Sequence, residues 1–161
     1  MMRFLFLSAL SFMIFGCSDQ VNDTASNNQI SLTQLDRSES VRGVDRNKNG
    51  VRDDIDTIIN DSYEEPLTRE LVYDLAKSLQ ASLLIDHNNK EQVLKVYTAT
   101  EKSMGCLETY ASRYNIESRK VLEELSLLTT NTGIRFINAL RFENAVGNID
   151  RILVASLAGC K

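Results

Sequence analysis

PLTRELVYDLAKSLQASLLID, residues 66–86, decides how this chain reads. Leu67, Leu71, Leu75, Leu79 and Leu83 recur every fourth residue, with Val72 and Ala76 beside them. A period near 3.6 puts these positions on one helical face, whereas a half-buried strand would alternate. Pro66 is the single proline in the chain. It suits a first helical position, where its fixed φ fits and its missing N–H would lack a partner anyway.

The same period continues on both sides. Asp54 to Asp61 predicts a short helix with Ile55, Ile58 and Ile59 on one side. Asp86 to Asn89 breaks the Leu stripe, and Asn89 with Gln92 has the spacing of a capping box. Val93, Tyr97, Thr100, Met104, Leu107, Ala111 and Tyr114 form a second long stripe, with Cys106 beside it. A third segment starts near Ile116 and holds Val121, Leu122, Leu125 and Leu128. After a break at Thr129 to Gly133, a fourth stripe is expected on Ile134, Ile137, Leu140 and Arg141, ending near Gly147. Asn148 to Leu157, with Ile149, Ile152, Leu153 and Leu157, reads as a final short helix. Its β-branched content leaves a strand as the alternative. One Pro and seven Gly favour helices over a β-sandwich. The expected fold class is all-α, a small antiparallel helical bundle with short connections.

Length and charge narrow the function. A chain of 161 residues makes one domain. With 18 Lys+Arg against 22 Asp+Glu the net charge is −4, so no nucleic-acid partner is expected. The single His excludes a two-histidine metal site within the chain. That residue, His87, sits in a polar interhelix segment and reads as a surface group near a helix cap, although His87 and Glu91 could share a face. Glu64-Glu65 and Glu123-Glu124 are adjacent pairs, pointing about 100° apart on a helix, so neither is preorganised for acid–base chemistry. Tyr73, Tyr97, Tyr110, Tyr114, Phe136 and Phe142 read as core, the tyrosines with polar tips. No enzyme motif occurs, and a non-enzymatic role is expected.

The chain opens with Arg3 and an uncharged run, FLFLSALSFMIF, from Phe4 to Phe15. As a helix this run reaches about 18 Å, short of a bilayer core of roughly 30 Å, so it reads as an export signal over residues 1–16. Ile14-Phe15-Gly16-Cys17 resembles the lipobox of bacterial lipoproteins, with a bulky Phe15 as its departure. The resemblance implies cleavage before Cys17, a diacylglycerol on its thiol and acylation (palmitate) of the new amino terminus. The protein would then attach to the membrane through lipid. Ser18 rather than Asp after the cysteine implies the outer membrane, on its periplasmic side or at the surface. Residues 17–40 are polar and Asn/Ser-rich and read as a lipidated tether, leaving 41–161 as the helical domain. With Cys17 lipidated, Cys106 and Cys160 remain and are expected to pair in an oxidising compartment. Two buried free thiols are the alternative.

Asp45 to Asp56 reads DRNKNGVRDDID. It is similar to the twelve-residue calcium loop of EF-hands and dockerins. The resemblance implies Ca²⁺ held by Asp45, Asn47, Asn49, the Val51 carbonyl, Asp53 and Asp56, with Gly50 at the sharp turn. Ca²⁺ takes six to eight oxygens, and this spacing wraps them round one point. Three departures stand out: there is a single loop, Arg52 replaces the usual aliphatic eighth residue, and residues 38–44 make a poor incoming helix. Arg46, Lys48 and Arg52 offset the carboxylates, so affinity of about 10⁻⁵–10⁻³ M and a structural role are expected. The alternative is an Asn-Gly turn with Asp53 or Asp54 capping a helix.

The expected function is a lipid-anchored, non-enzymatic helical module that binds a protein partner. The rival is a periplasmic inhibitor or immunity protein, which would need an acidic cluster or an aromatic knob to plug a cleft. An enzyme would need a pocket uniting His87, Tyr and carboxylate groups.

Overall fold

The computed structural model describes residues 34–114, 116–147, 149 and 160. Among these are five α-helices and no strand: α1 (Asp53–Ser62), α2 (Pro66–Ser82), α3 (Lys90–Tyr114), α4 (Ser118–Thr129) and α5 (Gly133–Val146). The expected all-α class is observed. Helix α2 is the hub: it packs chiefly on α3 and also meets α1, α4 and α5. Its position follows from the Leu stripe, since Leu71, Val72, Leu75 and Ala76 are all buried. They join Val51, Ile55, Ile59, Leu107, Val121, Leu125 and Leu128 in one core. A smaller cluster of Val93, Val96, Phe142 and Val146 lies between α3 and α5. The predicted segment at 148–157 lies outside the described residues except for Ile149, which packs on that cluster.

Local signals end the helices where they should. Pro66 stands at the start of α2, and the Glu65 carboxylate accepts from the N–H groups of Leu67 (3.1 Å) and Thr68 (2.6 Å). Asn89 Oδ1 accepts from the N–H of Glu91 and of Gln92, both at 3.1 Å. The return arm of this cap differs from a capping box, because Gln92 Oε1 reaches the N–H of Asp86 instead. His87 stands 2.8 Å from the Ser82 carbonyl and lies edge-on to Phe142, so it ties the end of α2 to α5. Cys106 and Cys160 form the expected disulfide, with Cα atoms 4.8 Å apart.

One expectation needs correction. The fourth stripe faces the other way. Phe136 (53% exposed), Ile137 (46%) and Leu140 (48%) point outward, while Arg135, Phe142 and Val146 are buried. The inward face of α5 is thus a regular stripe headed by an arginine, which hydropathy assigns to solvent. The segment before the loop also meets the helices. Leu35 is in the core, and residues 36–44 are hydrogen-bonded to the helices. The packed domain therefore begins by Leu35.

Two buried arginines hold that early segment. Arg52 and Arg135 are both 0% exposed. Arg52 makes a two-pronged pair with Asp54 (2.9 and 2.7 Å) and donates to the carbonyls of Leu128 (3.2 Å) and Thr129 (3.3 Å). Those carbonyls end α4 and have no partner inside the helix, so a buried cation there satisfies both hydrogen bonding and the helix dipole. Arg135 donates to the carbonyls of Asp36, Ser40 (2.8 Å) and Val41 (3.3 Å). Asn131 joins the two, its Oδ1 accepting from both guanidinium groups and its Nδ2 donating to the Asp36 carbonyl. Burial alone would raise the Asp36 carboxyl. The Ser38 and Val44 hydrogen bonds and the Arg135 charge outweigh it and hold that carboxyl down to about 2. At Asp54 burial is likewise outweighed, chiefly by the Arg52 hydrogen bonds, and its carboxyl is lowered. Gly43, at φ +67°, closes over this network. A Cβ there would stand 2.5 Å from Arg52 Cδ and 2.7 Å from an Asp36 carboxylate oxygen.

Candidate metal centre: the loop at residues 45–56

The loop leads directly into α1, with Asp53, Asp54 and Asp56 in the first helical turn. Neither Asp53 nor Asp54 is the N-cap. That position is Arg52, whose side chain makes no capping bond. Lys48 (φ +58°) and Gly50 (φ +92°) both adopt left-handed backbone conformations, which winds the chain tightly round the side chains of 45–49. Gly50 is therefore the sharp turn that the spacing predicts.

Four of the six expected ligands meet in one hydrogen-bonded ring. Asn47 Nδ2 lies 2.8 Å from the Asp56 carboxylate, and Asn49 Nδ2 lies 2.9 and 3.1 Å from its two oxygens. The Asp45 carboxylate accepts from the N–H groups of Asn49 (3.2 Å) and Gly50 (3.1 Å). Asn47 Oδ1 and Asn49 Oδ1 accept from the N–H groups of Asn49 and Val51 respectively. Val51, the expected carbonyl donor, is 1% exposed and belongs to the core. Asp53 is not part of the ring. Its carboxylate takes the N–H of Arg46 (2.9 Å) and the Arg46 guanidinium (3.0 Å).

The donor set suits a hard cation. An amide presents either NH₂ or oxygen to the same point by a half-turn of its last bond. With Asn47 and Asn49 turned so, two amide oxygens would stand beside the Asp56 carboxylate near Asp45, and the ion would have to offset their lost bonds to the N–H groups of Asn49 and Val51. Among the described residues no three His, Cys, Asp or Glu side chains cluster as a metal site, and this ring pairs two carboxylates with two amides. Its base is rigid. The Tyr73 hydroxyl donates to the Asp56 carbonyl (3.2 Å), tying the closing residue to α2. Burial, with the Asp56 charge beside it, raises the Tyr73 phenol above its usual value.

The other predicted positions stand elsewhere. Cys17 lies outside the described residues. His87 serves as a tie between α2 and α5, as described above. The groups that sequence reasoning missed are Asp36, Arg52, Asn131 and Arg135. Their only local signal was a run of turn-favouring residues, Asp36, Ser38, Ser40 and Gly43, which marks a bent segment and not its partners. Among the described residues no helix is long and apolar enough to cross a membrane. The chain matches no protein-family model, no curated protein and no solved structure.

Proposed function

We propose that this protein is an exported, lipid-anchored helical module that acts by binding a protein partner and is stabilised by one calcium ion at residues 45–56. The observation that carries the calcium reading is the convergence of Asn47 and Asn49 on the Asp56 carboxylate, with Asp45 in the same ring. The Cys106–Cys160 disulfide supports an oxidising compartment, and the lipobox-like Gly16-Cys17 supports the anchor. The ion would be structural. It would link the segment held by Arg135 to α1 and would carry no reaction step.

Calorimetry and thermal melting of chelator-stripped protein test the metal. One Ca²⁺ per chain and a raised melting temperature are expected, with a Kd of about 10⁻⁵–10⁻³ M. The double variant Asp45→Ala/Asp56→Ala should show neither. An unchanged melt at millimolar Ca²⁺ would reduce the loop to a turn. Incorporation of labelled palmitate, lost in Cys17→Ser, tests the anchor separately.

A second reading, an inhibitor that plugs a cleft, is favoured by a specific feature of α4 and α5. Phe136 stands out from α5 at 53% exposure, and Glu123 and Glu143 stand exposed on the same groove. That is the aromatic knob beside acidic groups which such a protein would need.

A further inference from the structure

The apolar side chains that α5 turns away from the core border a groove. It runs between α3, α4 and α5, with a volume of about 830 Å³. That lies within the roughly 300–1,000 Å³ of sites that bury a drug-sized ligand, which here corresponds to a few side chains. Met104 and Leu122 line it, and Leu127 (73% exposed), Phe136 and Leu140 form its lip. Among the described residues that line it the charge has one sign: Glu101, Glu123 and Glu143 are all exposed, and none of the lining residues described is Lys, Arg or His.

We infer that this groove takes a cationic amphipathic helix of another protein, with its apolar face on Phe136 and Leu140 and its Lys or Arg residues over the three glutamates. The inference rests on the partner-binding reading above and does not need the calcium ion. Helix-in-groove recognition uses apolar anchors at i, i+3, i+4 and i+7, and flanking charge sets the choice of partner.

Other occupants fit less well. Two copies meeting face to face would set the same glutamates against each other. An anionic lipid surface would be repelled by them. The chain's own segment 148–159 carries one Asp and one Arg, so it offers no excess cation. The disulfide also anchors its far end at Cys106, which lies about 200° round α3 from the groove-lining Met104.

The test uses the chain from residue 18 and a fluorescent 14-residue Leu/Lys amphipathic peptide, read by anisotropy with Ca²⁺ and with chelator. Saturable micromolar binding is expected in both. It should weaken at least tenfold in Glu123→Lys/Glu143→Lys and in Phe136→Ser/Leu140→Ser, with unchanged melting temperatures. Equal binding of a Leu/Glu analogue, or no saturable binding, would overturn the inference. So would a dimer abolished by Phe136→Ser, flotation with anionic vesicles, or binding that emerges only after the disulfide is reduced. If the peptide fails while proteins crosslink elsewhere on the chain, only the groove assignment falls. If no protein crosslinks at all, the partner-binding reading falls with it.

Discussion

Residues 34–56 and the outward face of helix α5 use charge and apolar surface in opposite ways. Residues 34–56 are held by two wholly buried arginines, their own Arg52 and Arg135 from the inward face of α5, whose guanidinium groups are spent on carbonyls, carboxylates and one amide. On α5, Phe136, Ile137 and Leu140 are left half in water. Burying a cation is costly unless every hydrogen bond is made. The first region meets that condition largely with main-chain carbonyls of residues 36–41 and of the end of α4. The contrast teaches that polarity here marks what is fixed, and apolar surface marks what is free to meet another molecule.

The largest expected effect breaks the fixed side. Arg135→Leu removes the donor shared by the Asp36, Ser40 and Val41 carbonyls and takes the cation from the partly buried Asp36 carboxylate. Loss of one member of a buried pair costs about 3–5 kcal/mol. Denaturant melts should show a loss of that order, and a loss under about 1 kcal/mol would mean that the clamp is ornamental. The same clamp loosens in acid. Asp36 has a depressed folded pKa, near 2 against an ordinary 3.8, so its contribution is present above about pH 4 and fades as pH falls towards 2. Arg135→Leu should flatten part of that acid slope.

Gly43→Ala comes next. Its Cβ would meet Arg52, Asp36 and Arg135 at under 3 Å, on a residue already at positive φ. A left-handed residue with a side chain costs about 1–2 kcal/mol, and overpacking adds about 1–3. A drop of about 2–4 kcal/mol in chemical denaturation is expected, and a neutral result would show that residues 36–44 can shift freely. The smallest effect sharpens the other side. Leu127→Ser, at a position 73% exposed, should change stability by less than about 0.5 kcal/mol in the same melts. A larger loss would mean that something covers the lip of the groove.

The sequence was legible where one rule governs. The Leu stripe of α2, Pro66 at its start and the Asn89 cap follow from local backbone and side-chain rules, and the left-handed Gly50 from the calcium-loop resemblance. Of the six positions that the calcium-loop resemblance implies, Asp45, Asn47, Asn49 and Asp56 meet, whereas Val51 lies in the core and Asp53 pairs with Arg46, which the resemblance does not contain. The face of α5 was misread because its buried stripe starts with Arg135, and hydropathy gives arginine to water. The clamp was invisible for a related reason. Asp36 and Arg135 meet across a separation of 99 residues, and no local pattern carries that distance.

The grip on residues 36–41 also sets where mechanical load enters. A pull on Leu35 is met by its own packing in the core, and residues 36–44 meet the helices through Arg135, Asn131, Asp54 and Gln80. The carbonyls of Asp36, Ser40 and Val41 share one guanidinium at the start of α5, with Asn131 as a second hold on the first of them, so they bear force together. Load entering at residues 35–41 would thus be divided between the core at Leu35 and the start of α5 and the end of α4, and the polar half of that grip would yield at a pair of arginines.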